Sequence, residues 1–296
     1  MVGDVINCAD VKAREVAEGD IRFERRTLGV AAGALRVGAS LYVVPANARQ
    51  MPVHVHGDEE EIFYVVGGCG LSWQRGEACE VTVGDTVVHR PSGLPHTFLA
   101  GGHGLELLAF GSGSDSGITY LPRAKVMWCG PRWIPVDGPH PFRAEGEAGT
   151  LERPHPGQRP ANVQALQDVE VTQLPERQVR QVGAAAGSVK AGLNHVTLAP
   201  GAPGAEPHCH SLEEELFYVL DGSGTLALDD ALYPLRAGDV VARPPGRVTA
   251  HSIRAGQNGI IYLAYGTREP GDIVHYPQQG RIRLRGLGVT LDVPPS

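Results

Sequence analysis

Apolar and polar positions alternate with a period of two along most of the chain, which predicts strands rather than helices. Across residues 33–44, Leu35, Val37, Ala39, Leu41 and Val43 fall on one face and Arg36, Ser40 and Tyr42 on the other, so a long strand or a strand pair is expected. Residues 45–52 read as a loop. The run 62–66 is unbroken and apolar, and Gly67 and Gly68 are expected to end it. Residues 71–73 and 79–83 flank a Gln-Arg-Gly-Glu turn, and 87–90 lead into Pro91-Ser92-Gly93-Leu94-Pro95. Many short strands with turns at close intervals point to an all-β barrel or sandwich. The one helix predicted is short, over 11–17 with Asp10 as its cap. Prolines crowd 131–161, so 131–164 is expected to be a connector or a clamp wrapped around the barrels. The tail 282–293 alternates again and adds a strand to one barrel or the other.

The pattern occurs twice. His54-Val-His56-Gly-Asp-Glu-Glu-Glu61 returns as His208-Cys-His210-Ser-Leu-Glu-Glu-Glu215, displaced by 208 − 54 = 154 positions. Gly33 and Gly38 map onto Gly187 and Gly192, and Gly84-Asp85 onto Gly238-Asp239; His96 after its Pro-x-Gly turn is answered by His251. Parallel apolar endings follow at 104–111 and 259–266. Self-similarity at one spacing marks a tandem duplication, expected to give barrels at 1–130 and 165–296 around the linker.

Within each copy the residue types suit a metal. Alternate side chains of a strand share a face, so His54 and His56 point the same way, and Glu61, at the head of the next strand of a hairpin, reaches across to them. Neutral imidazoles with a carboxylate suit Fe or Mn first, with Ni, Zn and Cu as further options, one ion per barrel. The candidate ligands are His54, His56, Glu61 and His96, and His208, His210, Glu215 and His251. Glu61 and Glu215 are also the candidate catalytic bases, if they detach.

These residues resemble the cupin motifs. The first, G-x5-H-x-H-x4-E-x6-G, is met from His54 to Gly68 and from His208 to Gly222 without its leading glycine. The second, G-x5-P-x-G-x2-H, is met loosely: Gly84 lies one residue too far upstream, and four residues rather than two separate Gly246 from His251. The resemblance implies two tandem jelly-roll-like barrels, a bicupin. It also implies a menu of activities that includes dioxygenases, oxalate-degrading enzymes, sugar-phosphate isomerases and proteins with no reaction.

Composition narrows the partners. The net charge of −7 with no Lys/Arg cluster speaks against nucleic acid or a membrane surface, leaving a small-molecule substrate and allowing a homo-oligomer. No apolar run approaches a membrane span and the N-terminus has no leader pattern, so a cytoplasmic location is expected. Five cysteines without paired spacing imply no disulfide framework, and alternation turns Cys209 away from its neighbouring ligands.

The remaining polar residues receive ordinary readings. Glu59, Glu60, Glu213 and Glu214 are expected to form solvated turns. Arg36 and Lys190 face water or hold a substrate carboxylate, and His89 and His195 are structural or line a pocket. His103, His140, His155 and His275 are expected at the surface, and Phe63, Trp73 and Phe98 in the core. The leading functional expectation is an Fe- or Mn-type oxygenase. The alternatives are a non-redox metal-dependent lyase, decarboxylase or isomerase, and a structural or storage bicupin.

Overall fold

The computed structural model describes residues 5–112, 117–129, 132–134 and 139–293. Two eight-stranded antiparallel sheets repeat one topology. In the first, the path runs Val163–Gln164, Thr86–His89, Glu61–Gln74, His96–Ser112, Val37–Val44, Ile21–Thr27, Arg14–Glu18, with Glu77–Thr82 paired to Glu61–Gln74. In the second it runs Ile6–Asn7, Asp239–Arg243, Glu215–Leu228, His251–Thr267, Ala191–Leu198, Arg177–Arg180, Val171–Leu174, with Ala231–Arg236 as the side strand. The end strands are exchanged. Ile6–Asn7 pairs with Asp239–Arg243 of the second half, and Val163–Gln164 with Thr86–His89 of the first.

Each sheet curls around its own core, and a third core joins the two. Phe63, Val65, Phe98, Leu105 and Leu107 fill the first barrel, and Phe217, Val219, Leu226, Ile253 and Tyr262 the second. The alternate residues Ile62, Tyr64, Leu108 and Phe110 pack instead against Leu216, Tyr218, Leu263 and Tyr265 of the other half. This explains the unbroken apolar runs: strands covered on both faces need no polar side. Phe110 and Tyr265, equivalent in the duplication, stack with centroids 5.3 Å apart.

Several local expectations are corrected. Gly67 and Gly68 do not end the strand; Glu61–Gln74 continues through a bulge there. Gly68 has φ +70°, and a Cβ would lie 2.2 Å from the Gly104 carbonyl, so the bend brings two backbones too close for a side chain. The 11–17 segment is no helix: Arg14–Glu18 pairs with Ile21–Thr27, because tertiary pairing outweighs a weak local signal. The histidine strand makes no hairpin with the Glu61 strand. Val55–His56 pairs with Ile118–Leu121, and His54 bridges His96. The tail forms Arg281–Leu284 and Val289–Asp292 in a separate four-stranded sheet with Cys209–His210 and Ile273–Tyr276.

In the proline-rich stretch, residues 131 and 135–138 lie outside those described as to structure. The rest follows the first barrel. Helix Pro141–Glu147 is held by Glu145, whose side chain is fully buried 2.5 Å from the equally buried Arg49. Arg159 donates twice to Asp85, at 2.8 and 2.6 Å, and Asn162 donates to the Val88 carbonyl.

The acidic turns are not solvated. Glu60 and Glu214 are fully buried. Glu60 accepts the backbone N–H groups of Val189, Lys190 and Ala191 and the Ser188 hydroxyl, while Glu214 accepts those of Leu35, Arg36 and Val37. Each barrel thus inserts a carboxylate into the other, where charge-assisted hydrogen bonds offset its desolvation. Glu213 is buried as well, paired with Arg285 and accepting the Glu269 N–H.

Candidate metal centres

All eight expected ligands converge. In the first barrel one oxygen of Glu61 lies 3.5, 3.2 and 3.0 Å from Nε2 of His54, His56 and His96. In the second, one oxygen of Glu215 lies 3.7, 3.4 and 2.8 Å from Nε2 of His208, His210 and His251. The longer loop before His251 does no harm, because the histidine is set by a backbone bridge to His208, as His96 is by a bridge to His54.

The imidazoles are aimed by what their other nitrogens touch. Nδ1 of His54, His96 and His208 donates to the carbonyls of Pro52, Leu94 and Glu206, which leaves a lone pair on each Nε2. His210 Nδ1 donates to the buried Asp272 carboxylate at 2.7 Å. His56 Nδ1 lies 3.0 Å from the Thr119 hydroxyl and 3.4 Å from Glu59. Orienting the far nitrogen in this way is what a metal-ligating histidine requires. The donor sets fit a divalent ion on a further ground. Nε2 of His56, His210 and His251 and Oε2 of Glu215 are buried with no hydrogen-bonding partner. Three imidazoles and one carboxylate per centre are a donor set that suits a divalent transition metal.

The electrostatics agree. Burial works to raise the Glu61 carboxyl, but the His56 charge and the close approach of the three imidazoles outweigh it and hold Glu61 well below the usual range. Glu215 is likewise brought down to about 2 against its burial, chiefly by His251. Burial and the neighbouring His54 push His96 down to about 4, whereas Glu61 and Glu59 overcome burial at His56 and raise it to about 9.

Each centre opens into a cavity. The first, about 280 Å³, is lined by Arg25, Tyr42, Glu59, Thr119, Trp128 and Phe142 besides its ligands. The second, about 230 Å³, is lined by Arg177, Val179, Asn194, Val196, Phe217 and Tyr262. Arg25 donates to Ser40 and lies over the Tyr42 ring, 5.5 Å from its centroid. Its counterpart by the 154-residue offset is Val179, while Arg177 answers Phe23, so each cavity acquired its arginine separately.

The residues that line these cavities differ from those expected. Arg36 and Lys190 are exposed; their backbone amides serve Glu214 and Glu60, and the Lys190 ammonium donates to the Asp58 carbonyl. Glu59, expected in solvent, lines the first cavity, raised to about 7 by burial and by Glu61. Gly111 makes room for it, since a Cβ there would stand 2.3 Å from its oxygen. His89 packs face to face on His96, centroids 3.6 Å apart at 6°. No spacing signal marks Glu59, Arg25, Thr119 or Asp272, because they reach the centres from strands and turns whose pairing the sequence leaves open. His103, His140 and His155 are exposed and His275 is half-buried. Phe63 and Phe98 are core, Trp73 is half-buried, and Cys209 is buried with the other cysteines unbridged. No helix among the described residues is long and apolar enough to cross a membrane.

Comparison with known proteins follows the same lines. The family model described as Cupin domain matches residues 40–110 and 194–262. A search of curated proteins returned no significant match. Among solved structures, the fold is similar to oxalate decarboxylase from Lactobacillus farciminis in a formate complex, at 18% identity and TM-score 0.63 over 90% of this chain and 87% of that one. Oxalate decarboxylase from Bacillus subtilis at pH 4.6 shares 17% identity, with TM-score 0.62 over 90% and 76%. A structure of the same Bacillus subtilis enzyme from work on its Mn(II) centers shares 17%, with TM-score 0.62 over 92% and 79%. The duplicated motif, the two matched regions and the paired barrels make this chain a member of the cupin superfamily, a bicupin.

Proposed function

We propose that this bicupin is a metal-dependent lyase that decarboxylates a small carboxylate at its first centre. The observation that carries the reading is the first cavity, where a cation and a carboxyl group, Arg25 and Glu59, face the same space as the candidate ligands His54, His56 and Glu61. A bound divalent ion supplies Lewis acidity toward a carboxylate or carbonyl oxygen. Arg25, fixed by Ser40 and Tyr42, anchors a substrate carboxylate. Phe142, Trp128, Leu121 and Met51 exclude water from one wall. Loss of CO2 breaks a carbon–carbon bond and leaves its electron pair on the remaining carbon, which takes a proton; Glu59 is placed to deliver it. Glu61 and Glu215 sit at the centres of the imidazole sets, and the reading keeps both as ligands rather than bases.

The structural neighbours support the lyase alternative over the oxygenase expected from the sequence, since those named above are oxalate decarboxylases. Manganese is favoured by the neighbour studied for its Mn(II) centers and by the histidine-carboxylate donors. The test is incubation of Mn(II)-loaded protein with oxalate and other small carboxylates, following CO2 release and oxygen consumption together. Release without net oxygen uptake is expected. Stoichiometric oxygen uptake would overturn the reading and restore the oxygenase.

A further inference from the structure

The strand beside each ligand carboxylate carries a different residue in the two halves. His89 is the register partner of Glu61, and Arg243 that of Glu215. Directly paired residues of antiparallel strands share a face with Cβ atoms roughly 5 Å apart. Both side chains therefore turn toward the ligands, and both are buried, His89 at 6% exposure and Arg243 at 4%. His89 lies flat against the ligand His96. Arg243 donates from Nη2 to the Thr249 carbonyl in the loop that delivers His251, and its Nε is buried without an acceptor. Among the described residues no carboxylate lies within ion-pair distance of Arg243, and a guanidinium keeps its charge at any working pH.

On the metal-binding reading above, we propose that the two centres differ in affinity: the first holds its divalent ion more tightly, because Arg243 sets a fixed positive charge against the second ligand set where the first has the His89 ring. The other charges do not reverse this. Around the first centre stand Glu61, Asp58 and Glu59 against Arg25, which leaves a net negative charge even with Glu59 carrying the proton it donates in the proposed reaction. Around the second, Glu215, Asp272, Glu213 and Asp229 face Arg243, Arg285, Arg177 and Arg247, and Glu213 is already closed on Arg285. The second set is thus one charge less negative, and the extra cation is the one aligned with the ligand carboxylate. A unit charge within about 8 Å of a divalent ion in a protein interior weakens its binding at least about tenfold.

The experiment is calorimetric titration of metal-stripped full-length protein with Mn(II) alone. Two classes of site at least about tenfold apart are expected. His54→Ala should abolish the tight class and His208→Ala the weak one. Arg243→Gln, which removes the charge and keeps a polar side chain, should tighten the weak class about tenfold, whereas Arg243→Lys, which keeps the charge, should leave it weak. His89→Arg should weaken the tight class. Thermal melts of each variant separate affinity from folding. Two equal classes, or a weak class indifferent to Arg243→Gln, would overturn the inference and leave the proposed reaction standing. Binding at neither centre would overturn both.

Discussion

The two centres share their four ligands and differ in nearly everything behind them. In the first, the glutamate two residues before the ligand carboxylate, Glu59, lines the cavity; in the second, its counterpart Glu213 is buried against Arg285 and a backbone amide. His56 leans on Thr119 and Glu59, His210 on Asp272. Duplication fixes what the backbone register holds, and divergence acts on what the accessory sheets and loops bring up.

The comparison breaks most directly at the ligands. His54→Ala should remove one metal per chain by elemental analysis and cut turnover by about 100-fold or more, since even partners of a ligand cost 10–100-fold. His208→Ala should remove the other metal and spare most of the turnover; equal losses would mean that both centres react. Next comes the acid. Glu59→Gln should lower kcat about 100-fold with the melting temperature held. Glu213→Gln should do the reverse, keeping kcat while losing up to about 1 kcal/mol of stability, because Arg285 is itself exposed and water replaces much of the lost ion pair.

Glycine sharpens the contrast further. Gly111→Ala must displace Glu59 and should cost about tenfold or more in kcat, whereas Gly266→Ala, whose nearest neighbour would be 3.7 Å away, should be silent in the same assay. Where the halves agree, the effects should match. Glu60→Ala and Glu214→Ala each strand backbone amides of the other barrel, and chemical denaturation should show similar losses of about 3 kcal/mol.

The smallest effect concerns His195, which replaces Leu41 of the first half. Burial, with Arg180 adding to it, holds this imidazole down to about 4, below its ordinary 6.5. Between those values the unfolded chain takes up a proton that the folded chain refuses, so stability is complete above about pH 6.5 and falls as pH drops toward 4. His195→Leu should flatten that slope in urea titrations at neutral and acidic pH.

Legibility followed covalent proximity. The candidate ligands His54, His56 and Glu61 could be read because their spacing is short and the same spacing returns at His208, His210 and Glu215. The glycine bulge could not, because Gly68 answers to Gly104 rather than to its own neighbours. The solvated-turn reading of Glu60 and Glu214 failed for the same reason. An acidic run looks like surface until a second barrel arrives with unpaired amides to receive it. Arg25 and Glu59 wait on the sheet register and on the insertion that carries Phe142.

By itself the chain determined its strands, its duplication and its eight candidate ligands, since period-two alternation and a repeated motif are properties of residues close in sequence. Only the tertiary structure decided which strands were exchanged between the barrels, which carboxylates were buried, and which cavity received an acid beside its ligands. Those outcomes depend on contacts between segments far apart in the chain, and each is selected by the need to satisfy a buried charge or amide that local pattern does not reveal.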